Sequence, residues 1–255
     1  MGLISVVIPA YNEESRIGSM LSEYCEYFLK NFKDFEFVLI INGNDKTLDI
    51  VREFAKTFPQ IKYNYSEKRA GKGGAIIEGF RKARGDFVGY VDADNSTKPA
   101  AFHDLINALA TCDGAIASRK LASSVLISKE PLLQQFGSFG FNSILRLLFL
   151  LPFRDTQCGA KIFRREVIQK VLPELGVTEF AFDIDLLIRV WKKGFSIKEV
   201  PTTWEYKTGS TFDFNKWFWR LIPNMFMSLM RLRLLYSPFK GFVKFWDKYI
   251  KNVKI

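Results

Sequence analysis

Short apolar runs rich in Val, Ile and Phe alternate with longer stretches of helical period from the start of the chain to about residue 120, and this rhythm limits the possible folds more than any other feature. Strands are expected at Ile4 to Ile8, Phe35 to Ile41, Ile61 to Tyr65, Phe87 to Val91 and Gly114 to Ser118, with helices near 14–31, 47–57, 74–84 and 99–111. Runs that are apolar throughout suit strands covered on both faces. The expected architecture is therefore an α/β domain around a mostly parallel sheet. From 134 to 200 the chain reads as helices and loops around Asp155-Thr156-Gln157-Cys158-Gly159, then a helix from about Phe182 to Lys193 and a strand near Ser196 to Val200.

Open sheets of this kind bind ligands beyond the carboxyl ends of their strands. The residues that follow the strands are polar: Pro9-Ala10-Tyr11-Asn12-Glu13-Glu14, then Asn42-Gly43-Asn44-Asp45, then Asp92-Ala93-Asp94-Asn95. No G-x-G-x-x-G turn follows the first strand, which disfavours a nicotinamide enzyme. Asp92 and Asp94 are spaced to project from a strand end toward one side, where hard carboxylate oxygens could join Mg²⁺ or Mn²⁺ to a diphosphate. The alternative is a pair of solvated turn aspartates. Arg69-Ala70-Gly71-Lys72-Gly73-Gly74-Ala75 offers close backbone approach, a lysine charge and a helix N-terminus to a phosphate. It is not a P-loop, and a plain helix-entry loop is the other reading.

The three cysteines, Cys25, Cys112 and Cys158, are odd in number and lack C-x-x-C spacing. They suggest neither a disulfide framework nor a zinc cluster, and fit a reducing compartment. His103 is the sole histidine, so neither a histidine zinc site nor a Ser-His triad is expected. The opening residues lack the charged region and long apolar stretch of a signal peptide, and no export is expected.

Of the net charge of +10, residues 212–255 carry +7, from nine Lys/Arg and two Asp/Glu. Phe212, Phe214, Trp217, Phe218, Trp219, Leu221, Ile222 and Met225 lie among Lys216, Arg220, Arg231 and Arg233, and Pro223 and Asn224 break the run. It falls short of the ~20 apolar residues of a spanning helix. Helices lying in a membrane interface fit better, with packing as core or dimer contact as the alternative. The expected division is a catalytic domain at 1–211 and a basic aromatic extension at 212–255. Phe141, Leu145, Leu147, Leu148 and Phe149 offer either a second apolar surface or further core.

Val7-Ile8-Pro9-Ala10-Tyr11-Asn12-Glu13, Gly71-Lys72-Gly73-Gly74-Ala75, Asp92-Ala93-Asp94 and Asp155-Thr156-Gln157-Cys158-Gly159, in that order, resemble family 2 glycosyltransferases. Asp92 to Lys98, Asp155 to Lys161 and Phe180-Ala181-Phe182-Asp183 bring the likeness closest to the dolichyl (polyprenyl) phosphate sugar synthases, the glucose synthases above all. The resemblance covers about residues 4 to 210. It implies a GT-A fold and inverting transfer from UDP-glucose, or from GDP-mannose, onto a lipid phosphate at the cytoplasmic face of a membrane. It also implies that Pro9, Tyr11 and Glu13 contact base and ribose, and that Asp92 and Asp94 hold metal and diphosphate, with Ala93 between them. Arg119 would approach phosphate; Lys72, Gln157 and Asp183 would surround the sugar and acceptor phosphate, with Gly73 beside the nucleotide sugar.

Two departures bear on specificity. Ile41-Asn42-Gly43-Asn44 stands where the family usually has Asp-Asp-Gly-Ser, which leaves the base contact and the choice between UDP and GDP open. Gln134 and Gln135 stand where arginines are expected, so Lys129, Arg146, Arg154 and Lys161 are candidate grips on the lipid phosphate. Asp155 and Asp183 also read as ordinary loop and cap residues, and Arg119 as a surface charge.

An acceptor phosphate is already anionic, so its attack needs alignment and charge stabilisation more than a general base. Two rivals make different demands. A family 2 transferase acting on a sugar hydroxyl would use Asp183 as base. A basic nucleic-acid-binding protein would explain the tail but leaves Asp92-Ala93-Asp94 without a role.

Overall fold

The computed structural model describes residues 2–128, 148–176 and 181–205, together with Met230, Arg233, Leu234 and Tyr236. The apolar runs near the N-terminus form parallel strands. In β1 (Ile4–Tyr11) and β2 (Phe35–Asn42) nearly every residue is buried, as expected of strands covered on both faces. They alternate with α1 (Ile17–Asn31), α2 (Thr47–Thr57), β3 (Ile61–Ser66) and α3 (Gly71–Lys82). Next come β4 (Phe87–Val91), α4 (Pro99–Ala108) and β5 (Gly114–Ser118). All five strands expected before residue 120 are present. The first three extend further at their carboxyl ends, and α3 starts at Gly71 rather than near 74.

The side chains of each strand divide between two cores, as the period of two requires. Val7, Val38 and Ile40 join Phe80, Phe163 and Phe182 on one face. Val6, Ile8, Phe37 and Leu39 join Met20, Phe28 and Phe102 on the other. Burying each such side chain is worth about 1.5–3 kcal/mol, so the two layers dominate cohesion.

In the second half the helix expected from about Phe182 to Lys193 and the strand expected near Ser196 to Val200 are present, and the segment before them differs from the sequence reading. A strand, β7 (Ala160–Arg164), follows the Asp155 to Gly159 segment directly, and α5 (Arg165–Val171), a 3₁₀ turn (Leu172–Glu174), α6 (Phe182–Lys192) and β8 (Ile197–Pro201) come after it. The expected loop here is corrected to a central strand. The sheet order is β3-β2-β1-β4-β7-β5-β8, with β7 antiparallel to both neighbours. An antiparallel strand beside β4 begins where β4 ends, and that reversal delivers the Asp155 to Gly159 segment to Asp92. A small second sheet pairs β6 (Val125–Leu126) with β9 (Thr203–Trp204). A Thr97–Trp204 bridge ties it to the loop after β4.

Among the described residues no helix is long and apolar enough to cross a membrane. Apart from four positions, the extension at 212–255 lies outside the described residues. One of these, Tyr236, packs on the core face that includes α6 and donates its hydroxyl to Asp185 Oδ1 at 2.7 Å. Phe149 is core and Leu148 is exposed, whereas Phe141, Leu145 and Leu147 lie outside the described residues.

Candidate active site

The site begins where β4 ends. The Asp92 N–H donates to Gly159 O at 3.0 Å, and a Cβ at Gly159 would overlap the Asp92 carboxylate, so this contact requires glycine. Ala93 is buried between two half-buried acids. Asp94 Oδ1 accepts the Ser96 N–H at 2.9 Å, and Asn95 takes a left-handed φ of 59°, which asparagine tolerates. Among the described residues no third His, Cys, Asp or Glu joins these acids to form a metal cluster. Two hard, partly accessible carboxylates fit Mg²⁺ or Mn²⁺, which complete their shells with phosphate oxygens and water.

Lys72 and Asp183 complete the floor of the cleft. At the second position of α3, Lys72 Nζ lies 2.7 and 3.0 Å from the two oxygens of Asp92, and 3.9 Å from Asp183 Oδ2. Burial works against the Lys72 charge, but Asp92 and Asp183 outweigh it and raise its pKa. Asp183 is buried in the first turn of α6, where its Oδ1 accepts from Lys161 Nζ at 2.6 Å and from the Tyr90 hydroxyl. Burial alone would raise Asp183, yet the Lys161 and Lys72 charges hold it below the usual carboxylate range. Lys161 has no exposed surface and also donates to Cys158 O at 2.7 Å. It is thus removed from the candidate grips on a lipid phosphate: its ammonium is already enclosed and neutralised. Of the other candidates, Arg154 is exposed, while Lys129 and Arg146 lie outside the described residues, as do Gln134 and Gln135.

A buried acid paired with an arginine lies at the end of β5. Asp155 is fully buried and receives Arg119 Nε at 2.8 Å, Arg119 Nη2 at 3.0 Å and the Arg119 N–H at 3.0 Å. Burial raises its pKa, but the guanidinium beside it wins and the net shift is downward. The Arg119 guanidinium lies 5.3 Å from the centre of the Trp204 ring. The Arg154 and Asp155 N–H groups donate to Glu199, and the Gln157 N–H to Asp155 Oδ1 at 3.2 Å. Asp155 is a buried staple rather than an ordinary loop residue, and Arg119 is an ion-pair partner rather than a bland surface charge. Among the described residues the buried Gln157 Nε2 has no hydrogen-bond partner, which leaves a donor for a ligand oxygen.

The nucleotide side lies at the ends of β1 and β2. Pro9 is half-buried within β1, and the Tyr11 ring is 44% exposed with the Arg69 guanidinium 4.8 Å above it. The Glu13 carboxylate is engaged by Arg16 at 2.7 and 2.8 Å, and the Glu13 N–H donates to Thr47 Oγ1 at 2.8 Å. Asn42 is buried with its amide engaged at both ends: its N–H groups donate to Ile41 O and Ser66 O, both at 3.1 Å, and its oxygen accepts the Ala70 N–H at 3.4 Å. Gly73 is buried in the first turn of α3.

The structure thus brings Lys72, Asp92 and Asp183 into one cluster, with Asp94 beside it. Arg119 and Gln157 share Asp155 as their anchor, and Pro9, Tyr11, Glu13 and Asn42 are at the ends of β1 and β2. Sequence reasoning gave no site role to Tyr90 or Arg16, placed Arg69 in a phosphate-binding motif rather than over the Tyr11 ring, and offered Lys161 as a grip on the lipid phosphate, which its burial rules out. The available signal was a tyrosine inside the apolar β4 and a lysine beside Ile162 and Phe163 in β7.

The fold belongs to a class whose members have been solved. The chain aligns with glucosyl-3-phosphoglycerate synthase from Mycobacterium tuberculosis, in complex with Mn²⁺, UDP-glucose and phosphoglyceric acid, at a TM-score of 0.67 and 17% identity, covering 90% of this chain and 79% of that one. Mannosyl-3-phosphoglycerate synthase from Rubrobacter xylanophilus aligns at a TM-score of 0.68 and 18% identity, covering 94% and 75%. The domain is a GT-A-like glycosyltransferase fold. Residues 5–172 match the family described as Glycosyl transferase family 2, and the chain belongs to that family. Its relatives include the dolichyl-phosphate beta-glucosyltransferases of Dictyostelium discoideum, 31% identical over 82% of this chain and 68% of that protein, and of Drosophila melanogaster, 33% identical over 81% and 68%. The protein is a glycosyltransferase.

Proposed function

We propose that this glycosyltransferase moves glucose from UDP-glucose to dolichyl or another polyprenyl phosphate, with inversion, at the cytoplasmic face of a membrane. The observation that carries the acceptor is the condition of Asp183. A hydroxyl acceptor needs a base, and the acid nearest that role is buried, pinned by Lys161 and Tyr90 and held ionised by two lysines. Such a carboxylate is a poor proton acceptor. A phosphate monoester arrives already anionic and needs only alignment and neighbouring positive charge. The names of the relatives supply the sugar and the lipid, and a neighbour of the same fold takes UDP-glucose with Mn²⁺.

In this reading Tyr11, with Pro9, Glu13 and Asn42, receives base and ribose, and Gly73 allows the diphosphate close to the start of α3. A Mg²⁺ or Mn²⁺ ion held by Asp92 and Asp94 would supply Lewis acidity and a template for the diphosphate. Lys72 steadies negative charge as the nucleotide leaves, and Arg119 adds positive charge from the end of β5. Gln157 uses its unspent donor on a sugar or acceptor oxygen. The extension at 212–255 meets the membrane with its basic and aromatic side chains, and a polynucleotide is not a partner.

The test is transfer of labelled sugar from UDP-glucose and, separately, GDP-mannose to a polyprenyl phosphate, with and without Mg²⁺ or Mn²⁺. Metal-dependent glycolipid from UDP-glucose is the expected result. Product formed only on a sugar hydroxyl would overturn the acceptor, and product from GDP-mannose alone would overturn the donor.

A further inference from the structure

Lys161 sits at the centre of the molecule with no exposed surface, on the strand wedged between β4 and β5. Its Nζ contacts Asp183 Oδ1 at 2.6 Å and Cys158 O at 2.7 Å, and lies 5.3 Å from the centre of the Tyr90 ring. The Tyr90 hydroxyl donates to the same Asp183 oxygen. Both pins therefore act on Oδ1, while Oδ2 is the oxygen that faces Lys72 at 3.9 Å. Lys72 in turn lies 2.7 Å from Asp92 and 6.0 Å from the centre of the Tyr90 ring.

A buried ion pair is weak support for stability, because apolar residues of similar volume often hold a fold equally well. What Lys161 and Tyr90 give that apolar residues cannot is a fixed orientation of one carboxylate. We propose that Lys161 and Tyr90 are positioning residues for sugar transfer: they fix Asp183 so that its second oxygen sets the place of the Lys72 ammonium over Asp92. The inference rests on the transferase reading above for its activity readout, and on geometry alone for the rest. None of the residues acting beneath the cleft needs to touch donor or acceptor. Lys72 is the only member of the Lys161–Tyr90–Asp183–Lys72 chain that meets the reacting groups.

The test is a double-mutant cycle on Tyr90→Phe, which deletes one hydroxyl and keeps the ring. With UDP-glucose and polyprenyl phosphate, Tyr90→Phe lowers kcat about tenfold, the effect of losing one hydrogen bond to a charged group, and leaves the KM for UDP-glucose unchanged. Added to Asp183→Asn, the same change costs nothing further, because the residue acts through Asp183. A crystal structure of Tyr90→Phe shows Asp183 rotated and Lys72 displaced from Asp92. Unchanged kcat, a loss that adds in full to that of Asp183→Asn, or an unmoved Lys72 overturns the proposal. If wild-type protein makes no glycolipid while the structure of the variant shows the displacement, the proposed donor and acceptor fall and the positioning of Lys72 through Asp183 stands.

Discussion

Two buried aspartates flank the same cleft, and their surroundings assign them different work. Asp155 takes three donors from Arg119 alone, its N–H and Glu199 tie the loop back, and Trp204 lies against the guanidinium. Every partner anchors backbone or a planar fork, so this acid fixes the path of the chain. Asp183 receives a lysine and a tyrosine on one oxygen and turns the other toward a second lysine in the cleft. A compact ammonium on a flexible stem can be moved, whereas a bidentate guanidinium cannot without breaking both bonds. The same residue type with the same direction of pKa shift thus serves as a staple in one place and as a setting for a mobile charge in the other.

The sharpest way to break this contrast is Lys161→Met, which leaves Asp183 buried without its main partner. A loss of about 3–5 kcal/mol is expected, as for other buried pairs deprived of one member. For a domain of this size that lowers Tm by roughly 10 °C in a thermal melt. Adding Asp183→Asn removes the orphaned charge and restores most of the Tm. A single variant as stable as wild type would mean that Asp183 is not held by Lys161.

A smaller effect is expected at Gly159, in the segment that joins the two acids. Gly159→Ala places a Cβ against the Asp92 carboxylate and displaces it from Lys72. Transferase activity should fall about a hundredfold, equivalent to ~2.7 kcal/mol of transition-state stabilisation, while the fold survives in circular dichroism. Unchanged activity would show that the close approach of Gly159 and Asp92 has no part in donor handling.

The first half of the molecule was legible because its physics is local. Ile4 to Ile8 and Phe35 to Ile41 carry uninterrupted apolar runs, polar motifs follow them, and the parallel sheet results. The strand β7 was not legible, because Lys161 is the second of its five residues and a lysine argues for solvent. Its burial depends on Asp183 and Tyr90, 22 and 71 residues away in sequence (183 − 161 and 161 − 90), and no window of periodicity spans that distance. The feature that hid the strand is the one that organises the site. Asp155 was ambiguous for a related reason: as a loop acid it looks ordinary until Arg119 and Glu199 arrive from β5 and β8. Asp92-Ala93-Asp94 was legible because all its cues are within one strand and the loop after it.

The smallest expected effect lies on the staple itself. Asp155→Asn keeps the shape but turns an amide toward guanidinium donors, and costs about 2 kcal/mol of stability, the worth of hydrogen bonds to a charged group. Its pH dependence identifies the cause. The folded pKa of Asp155 is depressed, so its contribution is fully present above the unfolded value of about 3.9 and disappears as pH falls through the folded value. Wild type and Asp155→Asn should therefore differ by a constant Tm gap from pH 7 to about 5, and the gap should close as pH falls below about 4. A gap that stays constant down to pH 3 would assign the loss to packing rather than to charge. Asp155 would then differ from Asp183 by being a shape in the fold, not an anion.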